Sequence, residues 1–149
     1  MATNDYVSQE IARVRALVMS AFSSVSRPTR VTKRVAIALD DEWIPDDERC
    51  AELRALDLEQ TWHDLKDSEI EEFGGVLPWL DEEGLRFYLP AFIDYALRMF
   101  SALDHRAISS IHDLSSSRDS LLRALSTDQL KAYSEFEALY GYSFELPKA

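Results

Sequence analysis

The stretch from Leu85 to Leu103 constrains the fold more than any other part of the chain. Leu85, Leu89, Phe92, Ala96, Met99 and Leu103 keep a helical period, and Phe87, Tyr88, Tyr95 and Phe100 widen the apolar face. A stripe this wide marks the centre of a core, so other helices are expected to surround it. Pro90 falls inside the run. It lacks an amide hydrogen and crowds the preceding turn, which predicts a kink, with a short helix before it and a longer one after.

The rest of the pattern is also helical. Val7, Ile11, Val14, Leu17, Val18, Ala21 and Phe22 predict a helix over about 4–24, capped by Thr3 or Asn4 and ended by the serines before Pro28. Residues 31–39 read both ways: Val31, Val35 and Leu39 fit a helix, while Val35, Ile37 and Leu39 fit a strand. Helix is preferred, because no second strand is evident to pair with it. Pro45 with Asp46, Asp47 and Glu48 predicts a helix start, followed by Cys50, Leu53 and Leu56 as a narrow apolar face. Trp62 and Leu65 read as an apolar clip between elements. Ser68 and Glu71 have capping-box spacing, Ile70 and Phe73 supply a buried side, and Gly74-Gly75 stops that helix. Val76, Leu77, Trp79 and Leu80 are expected to be buried, with Asp81 capping the central helix.

Residues 104–117 are weakly patterned and read as a connection. A last pair of helices is expected at about 117–125 and 127–140, with a Ser126/Gln129 capping box and Gly141 as the stop. The tail Tyr142, Phe144, Leu146 alternates and fits a segment lying over the body. With 149 residues, four glycines and one cysteine, the chain has the size of one domain and cannot form an intramolecular disulfide. The expectation is an all-α, single compact domain, 1–149, of about six to seven helices.

Charge is unevenly spread. The formal net charge is −11, yet residues 1–39 carry six basic and two acidic side chains, and residues 40–83 carry seventeen acidic and three basic. A field of that sign repels phosphate backbones and anionic lipid while attracting cationic partners. Direct nucleic-acid and membrane binding are therefore disfavoured. The first apolar stretch is interrupted by Arg13 and Arg15, and Ala16–Ser26 is far below the roughly 20 residues that span a bilayer, so cytoplasm is the expected compartment.

Few residues suggest chemistry. There is no Gly-x-Ser-x-Gly elbow, no Walker A loop and no Gly-x-Gly-x-x-Gly turn, and no cofactor is implied. Asp40-Asp41-Glu42, Asp46-Asp47-Glu48 and Asp81-Glu82-Glu83 read mainly as acids at helix starts, where the dipole favours them. Cys50 lies among acids, which disfavours a thiolate. His63, beside Trp62, reads as a packing residue. His105 and His112, seven apart with Asp104 and Asp113 beside them, return to one helix face and offer an alternative reading as a metal-assisted hydrolase.

The run Leu80-Asp81-Glu82-Glu83-Gly84-Leu85-Arg86-Phe87-Tyr88-Leu89-Pro90-Ala91-Phe92 resembles the hallmark stretch of an uncharacterised bacterial family, domain of unknown function 6714. The resemblance extends upstream through Trp62 with Leu65, Asp46-Asp47-Glu48 and Arg27-Pro28, covering about residues 10–103, with 104–149 as a C-terminal helical extension. The family pattern has a His-Glu pair where this chain has Lys33-Arg34, so no acid–base or metal role carries over there. The resemblance implies one intracellular domain and no catalytic residues.

Segregated charge without catalytic motifs points to a non-enzymatic acidic interaction module of the inhibitor or immunity type. Its expected partner is a basic protein, such as a toxin or a nucleic-acid-binding protein. The expected partner-binding residues are Asp40, Asp41, Glu42, Trp43, Asp46, Asp47, Glu48, Trp62, Glu71 and Glu72, with carboxylates steering association and tryptophans adding contact area. A homodimer built on the aromatic helix 85–103 is a further expectation.

Overall fold

In this computed structural model the described residues are 2–42, 44–100 and 118–145. Trp43, His105, His112, Asp104, Asp113 and Leu146 lie outside them. Among the described residues there are seven α-helices and no strand: α1 (Ala2–Ala21), α2 (Lys33–Asp41), α3 (Asp47–Leu56), α4 (Asp67–Glu72), α5 (Glu82–Arg98), α6 (Arg118–Ala124) and α7 (Thr127–Glu145). Two single 3₁₀ turns, Trp62–Asp64 and Leu77–Trp79, join α3 to α4 and α4 to α5. The all-α expectation holds, and of the ambiguous stretch 31–39 residues 33–39 lie in α2, while Val31 and Thr32 precede it.

α5 forms the axis. It packs against α1, α4, α6 and both 3₁₀ turns, and α1 packs in turn against α7. Phe87, Tyr88, Leu89, Phe92, Ile93, Tyr95 and Leu97 are all buried in one core with Val14, Val18 and Phe22 of α1 and Ala132, Tyr133 and Phe136 of α7. The aromatic side chains Phe87, Tyr88, Phe92 and Tyr95 of this helix are therefore covered within the protein. α5 also runs through Pro90 without interruption, correcting the expected break. The proline costs one main-chain bond and some crowding, about 3 kcal/mol. Burial of its large apolar neighbours, at about 1.5–3 kcal/mol each, outweighs that on both sides.

Local signals set the helix ends, with some shifts from the expected frame. Asp81 caps α5 by accepting from the Gly84 N–H at 2.8 Å, and Asp46 caps α3 by accepting from the Arg49 N–H at 2.8 Å. Ser126 and Gln129 form the reciprocal box as expected, at 3.0 and 3.3 Å. Ser68, by contrast, is an exposed residue inside α4, where Glu69 instead accepts from the Lys66 N–H at 3.3 Å. α7 continues through Gly141, because a glycine inside a helix costs only about 1 kcal/mol. α1 begins before its expected caps, at Ala2.

Two contacts place α2 beside the core. A Cβ added to Gly84 would sit 2.8 Å from the Val31 carbonyl oxygen, so only glycine lets the first turn of α5 approach the chain entering α2 so closely. On its other side α2 buries Val35 and Ala38 against Leu53 of α3, with half-buried Cys50 at the edge. Leu56, expected in that face, is 60% exposed.

Candidate functional site

The sequence of α2, Lys33-Arg34-Val35-Ala36-Ile37-Ala38-Leu39-Asp40-Asp41, runs against its own dipole. A helix favours anions at its N-terminus and cations at its C-terminus. Here two cations open the helix and two carboxylates close it. The protein treats these two mismatched ends differently.

At the N-terminal end the mismatch is repaired from within. Lys33 is 2% exposed, and its Nζ donates to Asp57 Oδ1 at 2.7 Å and to both oxygens of Glu59 at 3.0 and 2.8 Å, with Glu69 Oε2 at 3.5 Å. Arg34 adds its own N–H to Asp57 Oδ2 at 3.1 Å and its guanidinium to Oδ1 at 2.6 Å. Tyr88 of α5 closes the cluster: its O–H donates to Glu59 Oε1 at 2.6 Å while its oxygen accepts from the Lys33 N–H at 3.1 Å. Arg27, half-buried, grips the main chain behind the carboxylates, donating to the carbonyls of Arg54, Asp57 and Glu59.

Electrostatics keep this cluster charged and matched. Burial alone would pull Lys33 down, but the hydrogen bonds it donates to Asp57 and Glu59 outweigh it and hold the ammonium above its ordinary range. Burial alone would push Asp57 up, and the bonds from Lys33 and Arg34 reverse that too, leaving its carboxyl below the usual range. Tyr88 is pushed well above the ordinary phenol range, by burial first and then by Glu59. A protonated amine, an ionised carboxylate and a neutral phenol, each already engaged, offer neither a free base nor a nucleophile. The cluster is a structural lock joining α2, the chain after α3, and α5.

At the C-terminal end there is no such repair. Asp40 and Asp41 are exposed and make no ion pair among the described residues. The last turn of α4 also lacks a basic residue and ends in Glu72, likewise exposed and without an ion pair there. These three carboxylates rim a groove of about 150 Å³ whose walls are Ala36, Ile37, Phe73, Val76 and Trp79. Trp79, expected in the core, is 44% exposed on this groove.

The structure thus brings together Asp40, Asp41 and Glu72 from the expected partner-binding set, and distributes the others. Asp40-Asp41 ends a helix instead of starting one, so dipole stabilisation does not account for that pair. Glu42 is paired with Arg49 at 2.7 Å. Asp46 is occupied as a cap, while Asp47 and Glu48 are exposed in the first turn of α3. Glu71 is half-buried and accepts from the Tyr95 O–H at 2.6 Å. Trp62 is buried, its indole N–H donating to the Phe22 carbonyl at 3.1 Å, so it is a core residue without contact surface. Exposed His63 stacks on it, ring centroids 3.7 Å apart.

Of the seventeen acids in 40–83, Glu42, Asp57, Glu59, Asp67 and Glu69 are matched by cations of the same molecule. The acidic stretch is therefore spread over an internal lock (Asp57, Glu59, Glu69), an open groove (Asp40, Asp41, Glu72) and acids that stand elsewhere as caps, surface groups or ion pairs. Among the described residues, no group of three or more His, Cys, Asp or Glu side chains is placed to hold a metal ion.

A family model matches residues 10–139, which includes the lock, the groove, α5 and much of the two long helices α1 and α7. The chain belongs to DUF6714, a family of unknown function. The match reaches well beyond residue 103 and takes in α6 and most of α7. No curated protein and no solved structure matches the chain. No described helix of this DUF6714 member is long and apolar enough to cross a membrane.

Proposed function

We propose that this protein is a non-enzymatic interaction module of the inhibitor or immunity type, which docks on a basic surface of another protein through the groove between α2 and α4. One observation carries the reading. Among the described residues Asp40 and Asp41 have no ion-pair partner where the helix dipole disfavours them, while Lys33 and Arg34 at the equally adverse N-terminal end of the same helix are paired with carboxylates. An arginine or lysine of a partner would supply the missing countercharge. Its stem would lie against Trp79, which adds contact area and a cation–π face. Carboxylates outside the groove, such as Asp47 and Glu48, would steer a cationic partner toward it.

The test is affinity capture of a host protein with the intact chain, comparing two charge reversals. Asp40→Lys/Asp41→Lys/Glu72→Lys is expected to abolish capture of a basic protein that the parent binds in a salt-sensitive way. Asp47→Lys/Glu48→Lys is expected to slow association and leave the complex intact. Equal capture by the parent and the groove variant would overturn the reading, as would a parent that retains no basic protein.

A further inference from the structure

The groove between α2 and α4 has the size of one side chain. Its volume of about 150 Å³ lies well below the roughly 300 Å³ at which pockets begin to hold drug-sized molecules. Charge selects a cation for it. Asp40 and Asp41 come from the last turn of α2 and Glu72 from the last turn of α4, so carboxylates reach the groove from both helices. Neither last turn carries a basic residue, and none of the three acids has an ion-pair partner among the described residues.

The walls then separate one cation from another. A methylated ammonium is held by a cage of several aromatic faces. Here Phe73 is 5% exposed and already has Lys33 Nζ and the Arg34 guanidinium over its ring, at 5.3 and 5.4 Å. Trp79 is thus the open aromatic face among the described lining residues. A lysine ammonium is compact and strongly hydrated, which sets it against apolar walls such as Ile37 and Val76. A guanidinium is flat and weakly hydrated, and it stacks on a single ring while its edge donates to carboxylates. One open indole between apolar walls, with acceptors from two helices, matches the guanidinium best. Gly75 completes the recess: a Cβ built there meets nothing within 4 Å, and its φ is not positive, so a side chain can be added into the open space without strain.

We infer that the groove is specific for arginine: it takes one arginine side chain of the partner, with the guanidinium stacked on Trp79 and its edge turned to Asp40, Asp41 and Glu72. The source of that arginine rests on the docking reading, whereas the recognition itself can be measured without any partner.

The probes are N-acetyl-arginine amide, N-acetyl-lysine amide and choline, titrated at fixed ionic strength into the full isotope-labelled chain while the indole N–H resonances are followed. The Trp79 resonance is assigned with Trp79→Phe. The arginine probe is expected to shift it with a dissociation constant in the millimolar range, at least about five-fold below those of the other two probes, and to leave buried Trp62 unmoved. Gly75→Leu plugs the recess and is expected to abolish the shift with an unchanged thermal midpoint. Asp40→Asn/Asp41→Asn/Glu72→Gln keeps the shape, removes the charge and is expected to abolish it as well. Equal affinity for the arginine and lysine probes would overturn the inference and leave docking of a basic surface intact. So would an arginine probe that leaves Trp79 unmoved, or one that still binds both variants. Arginine binding by a chain that captures no host protein would instead overturn the docking reading and leave the arginine site standing.

Discussion

The two ends of α2 face the same electrostatic problem with opposite signs, and among the described residues only one of them is solved by an internal partner. At Lys33 the adverse cation is buried and surrounded by carboxylates and a phenol from three other stretches of chain. At Asp40 and Asp41 the adverse anions stand at the rim of an open groove. The difference teaches that an unfavourable charge near a helix end can be matched internally, where it fastens distant segments together, or left at the rim of a groove, where the docking reading proposed above brings a countercharge from outside.

The comparison is broken most forcefully at the lock. Lys33→Met removes the ammonium between Asp57 and Glu59, leaving Asp57 with Arg34 as its ionic partner among the described residues. Breaking a buried pair from one side costs about 3–5 kcal/mol, so a large fall in thermal midpoint is expected. An unchanged midpoint would show that α2 is held by its apolar face alone. Gly84→Ala should come next, losing about 1–3 kcal/mol as its methyl meets the Val31 carbonyl. Tyr88→Phe keeps the ring and deletes the hydroxyl that bridges Glu59 and the Lys33 amide. Chemical denaturation should report a loss of about 1.5–3 kcal/mol.

The pH profile sharpens the same contrast. The folded Asp57 titrates below its ordinary value of 3.8, so its contribution is complete above that pH and disappears as acid brings the pH down through the folded value. The folded Lys33 titrates above 10.5, so its contribution is complete below that pH and is lost as alkali raises the pH through the folded value. Asp57→Asn should flatten the acid limb of a stability profile and leave the alkaline limb governed by Lys33. An acid limb identical to that of the parent would place the acid sensitivity elsewhere.

The smallest expected effect has the opposite sign. Replacing Asp40 and Asp41 with lysine puts cations where the dipole favours them and should stabilise the protein by about 0.3–1 kcal/mol per residue at low salt, less at high salt. The same change is expected to remove partner capture. A gain in stability with a loss of binding would separate the roles of the two helix ends in one variant, whereas a destabilised variant would mean that these acids already have partners.

Most of the architecture was legible because it rests on period and punctuation. The stripe through α5, the Asp46 and Asp81 caps and the Ser126/Gln129 box all depend on residues close together in sequence. Pro90 misled because the cost of a lost main-chain bond is local, whereas the burial that offsets it comes from α1, α4 and α6. The lock was missed because its bonded partners lie 23 to 55 residues apart. A signal was nonetheless present: Leu56-Asp57-Leu58-Glu59 alternates like a half-buried extended segment, and only the facing Lys33 decides which side is inside. The groove was half legible. Composition exposed the acids, but reading Asp40-Asp41 as a helix start reversed the end of α2 on which they act.

The grip of Arg27 on the carbonyls of residues 54, 57 and 59 has a practical consequence. Carbonyl oxygens are common to every amino acid, so this anchor is blind to side-chain identity at positions 58 and 60. Those outward positions can be randomised while the strap keeps its shape, which makes the segment a natural place to install a new recognition sequence on this scaffold.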